Sequence, residues 1–271
     1  MSRPEDISPP EVFYNDSEAA KYTTNSRIIE VQTAMSERAV ELLGLQESGC
    51  LVLDLGCGSG LSGEVLTENG HFWVGLDISK AMLEIAQERE VAGDTLLCDL
   101  GQGFGFLPGS FDGAISVSAI QWLCNADKTS HDPFRRLAKF FKSLNEALKR
   151  GARAVLQFYP SHPQQIEMIT HAAVKSGFMT DLLIDFPNST KAKKHYLILY
   201  NGTSGAYTRP EPVLDEDKVK VSKRARHKKA GDQPRVKSHA WVQKKKDRQR
   251  RQGKNVRPDS KYSGRKRHPQ F

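Results

Sequence analysis

The chain has 271 residues, 38% of them hydrophobic and 27% charged, the composition of a globular protein with room for one or two domains. This excludes a fully disordered or collagen-like chain, and no apolar run approaches the roughly 18 residues that a membrane helix needs. The net charge of +8 joins two unlike parts, since residues 1–200 hold 18 basic and 25 acidic residues and residues 201–271 hold 22 and 7.

The first twelve residues are acidic and proline-rich, with no basic-then-apolar secretory pattern, so an intracellular, unanchored protein is expected. Glu18–Tyr22 and Ser26–Leu43 then read as helices, the second with Ile28, Val31, Met35, Ala39 and Leu42 on one face. Residues 1–48 are expected to form an N-terminal helical lid. From Leu51 to about Tyr200 short apolar runs alternate with helical patterns, the signature of repeated βαβ units. Strands are expected at Leu51–Leu55, Phe72–Leu76, Leu96–Cys98, Gly113–Val117 and Ala154–Phe158. Asp132 caps the helix before the fifth strand, Pro133 opens it, and Phe134, Leu137, Phe141, Leu144 and Leu148 repeat at helical spacing up to Gly151. After a further helix, Gln164–Ser176, two runs at Leu182–Phe186 and Tyr196–Tyr200 have no helix between them and read as an antiparallel pair. The expected fold is α/β, a Rossmann-like sheet over residues 49–205. Residues 206–271 are left as a basic tail; from 217 onward only six are Leu, Ile, Val or Phe, so disorder is expected there.

Asp54-Leu-Gly-Cys-Gly-Ser-Gly60 places glycines between a strand and a helix, where backbone approaches a ligand that a β-carbon would exclude. A dinucleotide fingerprint fits poorly, because Gly56-x-Gly58-x-x is followed by Leu61 where a third small residue belongs. Asp54 would repel a pyrophosphate and attract a cation. S-adenosylmethionine carries an ammonium and a sulfonium, and the block resembles the first motif of class I methyltransferases. That resemblance gives the loop Gly56, Cys57, Gly58 and Gly60 to the cofactor. Asp77, 23 residues after Asp54, suits the ribose hydroxyls, Ile78 and Met82 the faces of the adenine, and Cys98-Asp99-Leu100 the adenine edge.

The segment after the fourth expected strand, Ser116-Val-Ser-Ala-Ile-Gln-Trp-Leu123, lacks the Asn/Asp-Pro-Pro-aromatic motif of base amino-group methyltransferases. Cys124 lies in Leu-Cys-Asn, without the neighbouring proline common beside the nucleophile of a pyrimidine C5 enzyme. Together with Cys50, Cys57 and Cys98 it makes no CxxC pair and no zinc spacing, so neither a disulfide framework nor a metal site is expected. An acceptor that is already nucleophilic remains, such as guanine N7, whose lone pair needs alignment and no general base. Gln121, Trp122, Phe158 and Tyr159, just after the fourth and fifth strands, are the candidates for positioning it, with core packing the alternative for Trp122 and Tyr159.

Several segments together narrow the resemblance: Pro9–Asp16, Lys21–Arg27, Asp54–Gly60, Phe111–Asp127, Gln157–Pro160 and Tyr262–Arg267. In these the chain resembles the eukaryotic 18S rRNA (guanine-N7)-methyltransferase family, that of the Williams–Beuren region methyltransferase and its yeast bud-site-selection counterpart. The resemblance implies methylation of one guanine in 18S rRNA, a role in small-subunit biogenesis and export, and a nuclear and perinuclear location. It also implies a heterodimer with a small zinc-binding methyltransferase activator subunit that covers an exposed sheet edge. Three basic clusters in the tail, Ser222–Lys229, Lys244–Arg251 and Arg265–Arg267, suit rRNA phosphates or nuclear import. Two other readings stay open: a small-molecule methyltransferase with a nuclear signal, and an assembly factor acting mainly by docking on the pre-ribosome.

Overall fold

Two asparagines start the N-terminal helices. In this computed structural model α1 spans Pro10–Phe13, and the Asn15 side chain then accepts hydrogen bonds from Ser17 N and Glu18 N at the head of α2 (Asp16–Thr24). Asn25 repeats the motif for Arg27 N and Ile28 N at the head of α3 (Ser26–Leu43), which Gly44 ends in the left-handed conformation. Each such cap is worth about 1 kcal/mol. Residues 4–129, 131–189, 192–202, 210–214, 239–251 and 256–259 are described.

β1 (Leu51–Leu55), α4 (Leu61–Glu68), β2 (Phe72–Asp77), α5 (Lys80–Glu88) and β3 (Asp94–Leu97) form one half of an open sheet. β4 (Phe111–Val117), α6 (Pro133–Ala147), β5 (Leu148–Phe158), α7 (Pro163–Lys175), β6 (Met179–Asp185) and β7 (Lys194–Tyr200) form the other. The order is β3-β2-β1-β4-β5-β7-β6, parallel up to β5, with β7 antiparallel between β5 and β6. The expected antiparallel pair is therefore present. α3 is read from the sequence residue for residue, whereas the helix expected to run to Gly151 stops at Ala147 and β5 begins at Leu148. There Asn201 Nδ2 donates to the carbonyls of Leu148 and Lys149, and Gly151 N donates to Asn201 O, so the chain turns into the strand early.

Alternate strand residues feed two cores, one on each face. Ile115, Val155 and Ile198 pack with Met35, Ala39 and Leu43 of α3, while Ala114, Leu156 and Leu197 pack with Leu137, Phe140 and Ile169 of α6 and α7. The carboxyl ends of β1 and β4 thus meet at the point where strand order reverses, the place where open α/β sheets bind ligands.

The chain divides into two compact units, Met1–Asp215 and Glu216–Phe271, so the N-terminal helices share a unit with the sheet. Residues 210–214, assigned to the tail from the sequence, are tied to the first unit: Val213 N donates to Asp185 Oδ1 (2.7 Å) and Arg38 Nη2 to Glu211 O (2.8 Å). The second unit contains α8 (His239–Arg251), where the side chains of Lys246 and Arg250 reach Asp259 at 3.2 and 2.7 Å. The basic clusters 222–229 and 265–267 lie outside the described residues.

Candidate active site

The loop after β1 folds back on its neighbour strand. Gly56 N and Cys57 N donate to Leu76 O at 2.7 and 3.1 Å, and Gly58 N donates to the Asp77 carboxylate at 2.8 Å. Gly56 has φ +82°, and a β-carbon there would stand 2.3 Å from that of Ala119, so the loop and the end of β4 touch only because residue 56 is glycine. The other Asp77 oxygen accepts from Ser79 N at 2.8 Å. Burial raises the Asp77 carboxyl above its ordinary value, and the N–H groups of Ser79, Gly58 and Ile78 draw it back. Asp77, Ile78, Met82, Cys57 and Gly58 face one cleft.

Asp54 lies behind this wall, fully buried on β1 between β2 and β4. Ser62, which lines the cleft, donates to its Oδ2 at 2.6 Å, while its Oδ1 has no partner among the described residues. Burial pushes the Asp54 carboxyl up to about 7, with the Ser62 hydrogen bond opposing and the Asp77 charge adding to the rise. A buried carboxylate with one unsatisfied oxygen stores a field that a nearby cation relieves. This, with the glycine cradle, fits the ammonium of S-adenosylmethionine.

At the far end Asp99 and Leu100 line the cleft, and the Arg136 guanidinium holds the Asp99 carboxylate by both nitrogens at 2.8 and 3.0 Å. Gly101 N also donates to Asp99 Oδ1, so Oδ2, with one hydrogen bond, keeps acceptor capacity for an adenine amino group. Besides Asp54, two of the expected cofactor residues stand off the cleft. Gly60 caps α4, with its α-carbon pressed toward Val91, and Cys98 uses its N–H to join β3 to Asp77 O at 2.8 Å.

The N-terminal segment closes the cleft from above. Tyr14 and Tyr22 meet edge to face at 5.8 Å, and Tyr14 meets Trp122 at 5.9 Å, so three rings wall one side. Ser79 Oγ donates to Tyr14 O (2.8 Å), Asn125 Nδ2 to Glu5 O (3.0 Å), and Lys128 pairs with Glu11 (2.8 Å), fastening this segment to the sheet. Burial raises both tyrosine hydroxyls well above their ordinary value, so they stay protonated.

The four residues expected to position an acceptor separate in the structure. Trp122 lines the cleft. Gln121 is buried behind it and donates from Nε2 to Ser118 O at 2.9 Å. Phe158 is wholly buried in the core on the α6–α7 face. Tyr159 packs on the α3 face, where its hydroxyl donates to Met35 Sδ (3.2 Å) and accepts from Lys194 Nζ (2.6 Å). β5 is covered on both faces, so successive residues at its end turn into opposite cores instead of along the edge.

Ser118 takes the place next to Trp122. It lines the cleft at φ +58°, a backbone conformation that costs a non-glycine residue about 1–3 kcal/mol. Its N–H and its hydroxyl both donate to Gln157 Oε1, at 3.0 and 2.9 Å. Sequence reasoning passed over Ser118, Ser62, Tyr14, Tyr22 and Arg136. Arg136 alone left a signal, an arginine inside the apolar helical stripe of Leu137, Phe141 and Leu144.

Comparison with known proteins agrees with this geometry. A family described as "Methyltransferase domain" matches residues 53–156, and one described as "Methyltransferase involved in Williams-Beuren syndrome" matches residues 199–269. The chain is 54% identical to an 18S rRNA (guanine-N(7))-methyltransferase of Mus musculus over 99% of this chain and 98% of that one. It is 53% identical to a probable enzyme of the same name from Dictyostelium discoideum over the whole of both. Among solved structures, a Haloferax volcanii complex between the Trm112 methyltransferase activator and a methyltransferase matches with a TM-score of 0.52 and 19% identity. That match covers 71% of this chain and 97% of that one, and shows the shared fold. The chain is thus a class I S-adenosylmethionine-dependent methyltransferase, and it belongs to the 18S rRNA (guanine-N7)-methyltransferase family.

Proposed function

We propose that the chain transfers the methyl group of S-adenosylmethionine to N7 of one guanine in 18S rRNA. The observation that carries the binding half is the ring of carboxylates at three successive strand ends about one glycine loop. Asp77 takes the ribose hydroxyls, Asp99 and Leu100 the adenine edge, and Asp54, through Ser62 and its own field, the ammonium. When bound, the cofactor supplies an electrophilic methyl carbon. The chain's part is alignment: N7 of neutral guanine already holds a lone pair, so no residue has to remove a proton. This agrees with a cleft whose two tyrosines stay protonated and whose Asp99 is committed to Arg136. Trp122, with Tyr14 beside it, offers a flat apolar wall to a base turned out of its stack.

The partner reading rests on β3. This edge strand presents Leu96 at 46% and Leu97 at 63% exposure, two apolar side chains beside an unpaired ladder of backbone groups. A small zinc-binding activator subunit that adds a strand there would cover both; the Haloferax structure is a complex of a Trm112 methyltransferase activator with a methyltransferase of this fold. The basic segment beyond residue 216 holds RNA phosphates and directs the chain to the nucleus, with a role in small-subunit biogenesis.

The test is transfer of labelled methyl from S-adenosylmethionine to small-subunit rRNA by the purified chain with its activator. Label is expected in N7-methylguanine, and label that enters no RNA but a small metabolite would overturn the assignment.

A further inference from the structure

Ser118 combines three unusual features. It is a non-glycine residue in the left-handed region, it faces the cleft, and it is gripped by side chains that are themselves buried. Gln157 has no exposed surface, and Gln121 is 4% exposed. Gln157 Oε1 receives both the N–H and the hydroxyl proton of Ser118, while Gln121 Nε2 donates to Ser118 O. The grip leaves Gln157 Nε2 and Gln121 Oε1 without partners among the described residues. A strained backbone held at the expense of two buried polar atoms points to a role in the site rather than in folding.

The hydrogen-bond direction is fixed. The Ser118 N–H is shared between Gln157 O and Gln157 Oε1, at 3.0 Å each; an amide nitrogen in the place of Oε1 would set two donors face to face, so the oxygen stands there and the Ser118 hydroxyl beside it donates. With its proton committed inward, the hydroxyl presents only lone pairs to the cleft.

Ser118 also stands at one particular end. Along the sheet edge Asp99 follows β3, Asp77 ends β2, the glycine loop follows β1, and Ser118 follows β4. Adenine at Asp99 and ribose at Asp77 leave the sulfur and its methyl group for the β1–β4 end, where Gly56 touches Ala119.

We propose that Ser118 is a cofactor-contacting residue whose hydroxyl lone pairs face the positively charged methylsulfonium, and that Gln157 is the positioning residue that fixes this polarity. In the transfer the carbon–sulfur bond breaks as the carbon–N7 bond forms, the sulfur keeps the bonding pair and becomes a neutral thioether, and the positive charge passes to the guanine ring. An acceptor aimed at the methyl carbon, set before the reaction starts, stabilises the charge it carries on the way. The inference rests on Asp77 as the ribose acceptor.

Three variants test it by titration with S-adenosylmethionine and, separately, with the neutral product S-adenosylhomocysteine. Ser118→Ala removes the hydroxyl and keeps the N–H. It is expected to weaken S-adenosylmethionine binding about 10-fold, the size of one hydrogen bond to a charged group, and S-adenosylhomocysteine binding less than about 2-fold. Ser118→Gly suits the left-handed backbone, so it is expected to melt no lower than wild type and still show the same selective loss. Gln157→Leu frees the hydroxyl to turn and is expected to reduce the preference for the charged ligand in the same sense. Equal losses for the two ligands, or full recovery in Ser118→Gly, would mean that only the backbone shape matters and would overturn the proposal. Asp77→Asn separates the premise from the inference: it should weaken both ligands alike, and unchanged binding of both would refute the ribose assignment instead.

Discussion

Asp54 shows how a single residue exchanges stability for binding. Complete burial pushes its carboxyl up to about 7 in the folded chain, from the 3.8 of an ordinary aspartate. An acid whose folded value is raised gives stability that is complete below its unfolded value and is lost as pH rises through the folded one, here between about 4 and 7. Across that window this group costs the ligand-free protein roughly 1.4 kcal/mol per pH unit. Asp54→Asn keeps the shape and removes the charge, so without ligand it is expected to melt higher than wild type at pH 8, with the difference shrinking toward pH 5. Its affinity for S-adenosylmethionine is expected to fall at least about 10-fold at pH 8, since a partly buried ion pair is lost. Calorimetry and a binding titration read both, and a variant that binds as wild type would show that Asp54 serves only to hold Ser62.

Among the elements, the lid depends on Ser79. Its Oγ accepts from Met82 N to cap α5 and donates to Tyr14 O, so one hydroxyl fixes both a helix start and the tyrosine over the cleft. Ser79→Ala should lower stability by about 1 kcal/mol, the worth of a cap, and speed cofactor release several-fold in stopped-flow. Unchanged release would mean that the lid is held by Glu5 and Glu11 alone. β3 makes a second prediction. Leu96→Lys with Leu97→Lys should make the chain expressed alone more soluble and abolish co-purification with the activator subunit, whereas retained co-purification would place the partner elsewhere.

The elements also show what a sequence carries. Asp132-Pro133 with the apolar repeat up to Leu144 makes α6 readable, and Asp54, the glycines and Asp77 lie within one βαβ unit, so the cofactor half of the cleft is a local pattern. The acceptor half is not local. Ser118 meets Gln157 because Val117 pairs with Gln157 across β4 and β5, and Tyr14 reaches the cleft from a helix pair some sixty residues before Ser79. No spacing rule links such residues. Phe158 and Tyr159 mislead for the opposite reason: they stand at the correct sheet edge, but their side chains turn into the two cores.

At the scale of the whole molecule, charge divides the labour. Residues 1–200 carry 25 acidic against 18 basic residues, so on the proposed reading the affinity for RNA phosphate comes chiefly from the 22 basic residues beyond 200. Deleting residues 217–271 should flatten the dependence of RNA affinity on salt while leaving cofactor affinity unchanged. Loss of cofactor binding in that variant would mean the second unit supports the first. A variant that blocks the cleft separates the enzymatic role from the alternative of an assembly factor that acts mainly by docking. Gly58 faces the cleft at φ +53°, and a β-carbon there would meet only Met82 Cε, at 3.4 Å, so Gly58→Glu fills the cofactor site at the cost of backbone strain confined to the loop. The decisive measurement is chemical-cleavage mapping of N7-methylguanine in 18S rRNA from cells lacking the protein, complemented with wild type or Gly58→Glu. Cleavage lost at one guanine and restored by wild type alone is the predicted result, and an unchanged cleavage pattern in the depleted cells would contradict the account.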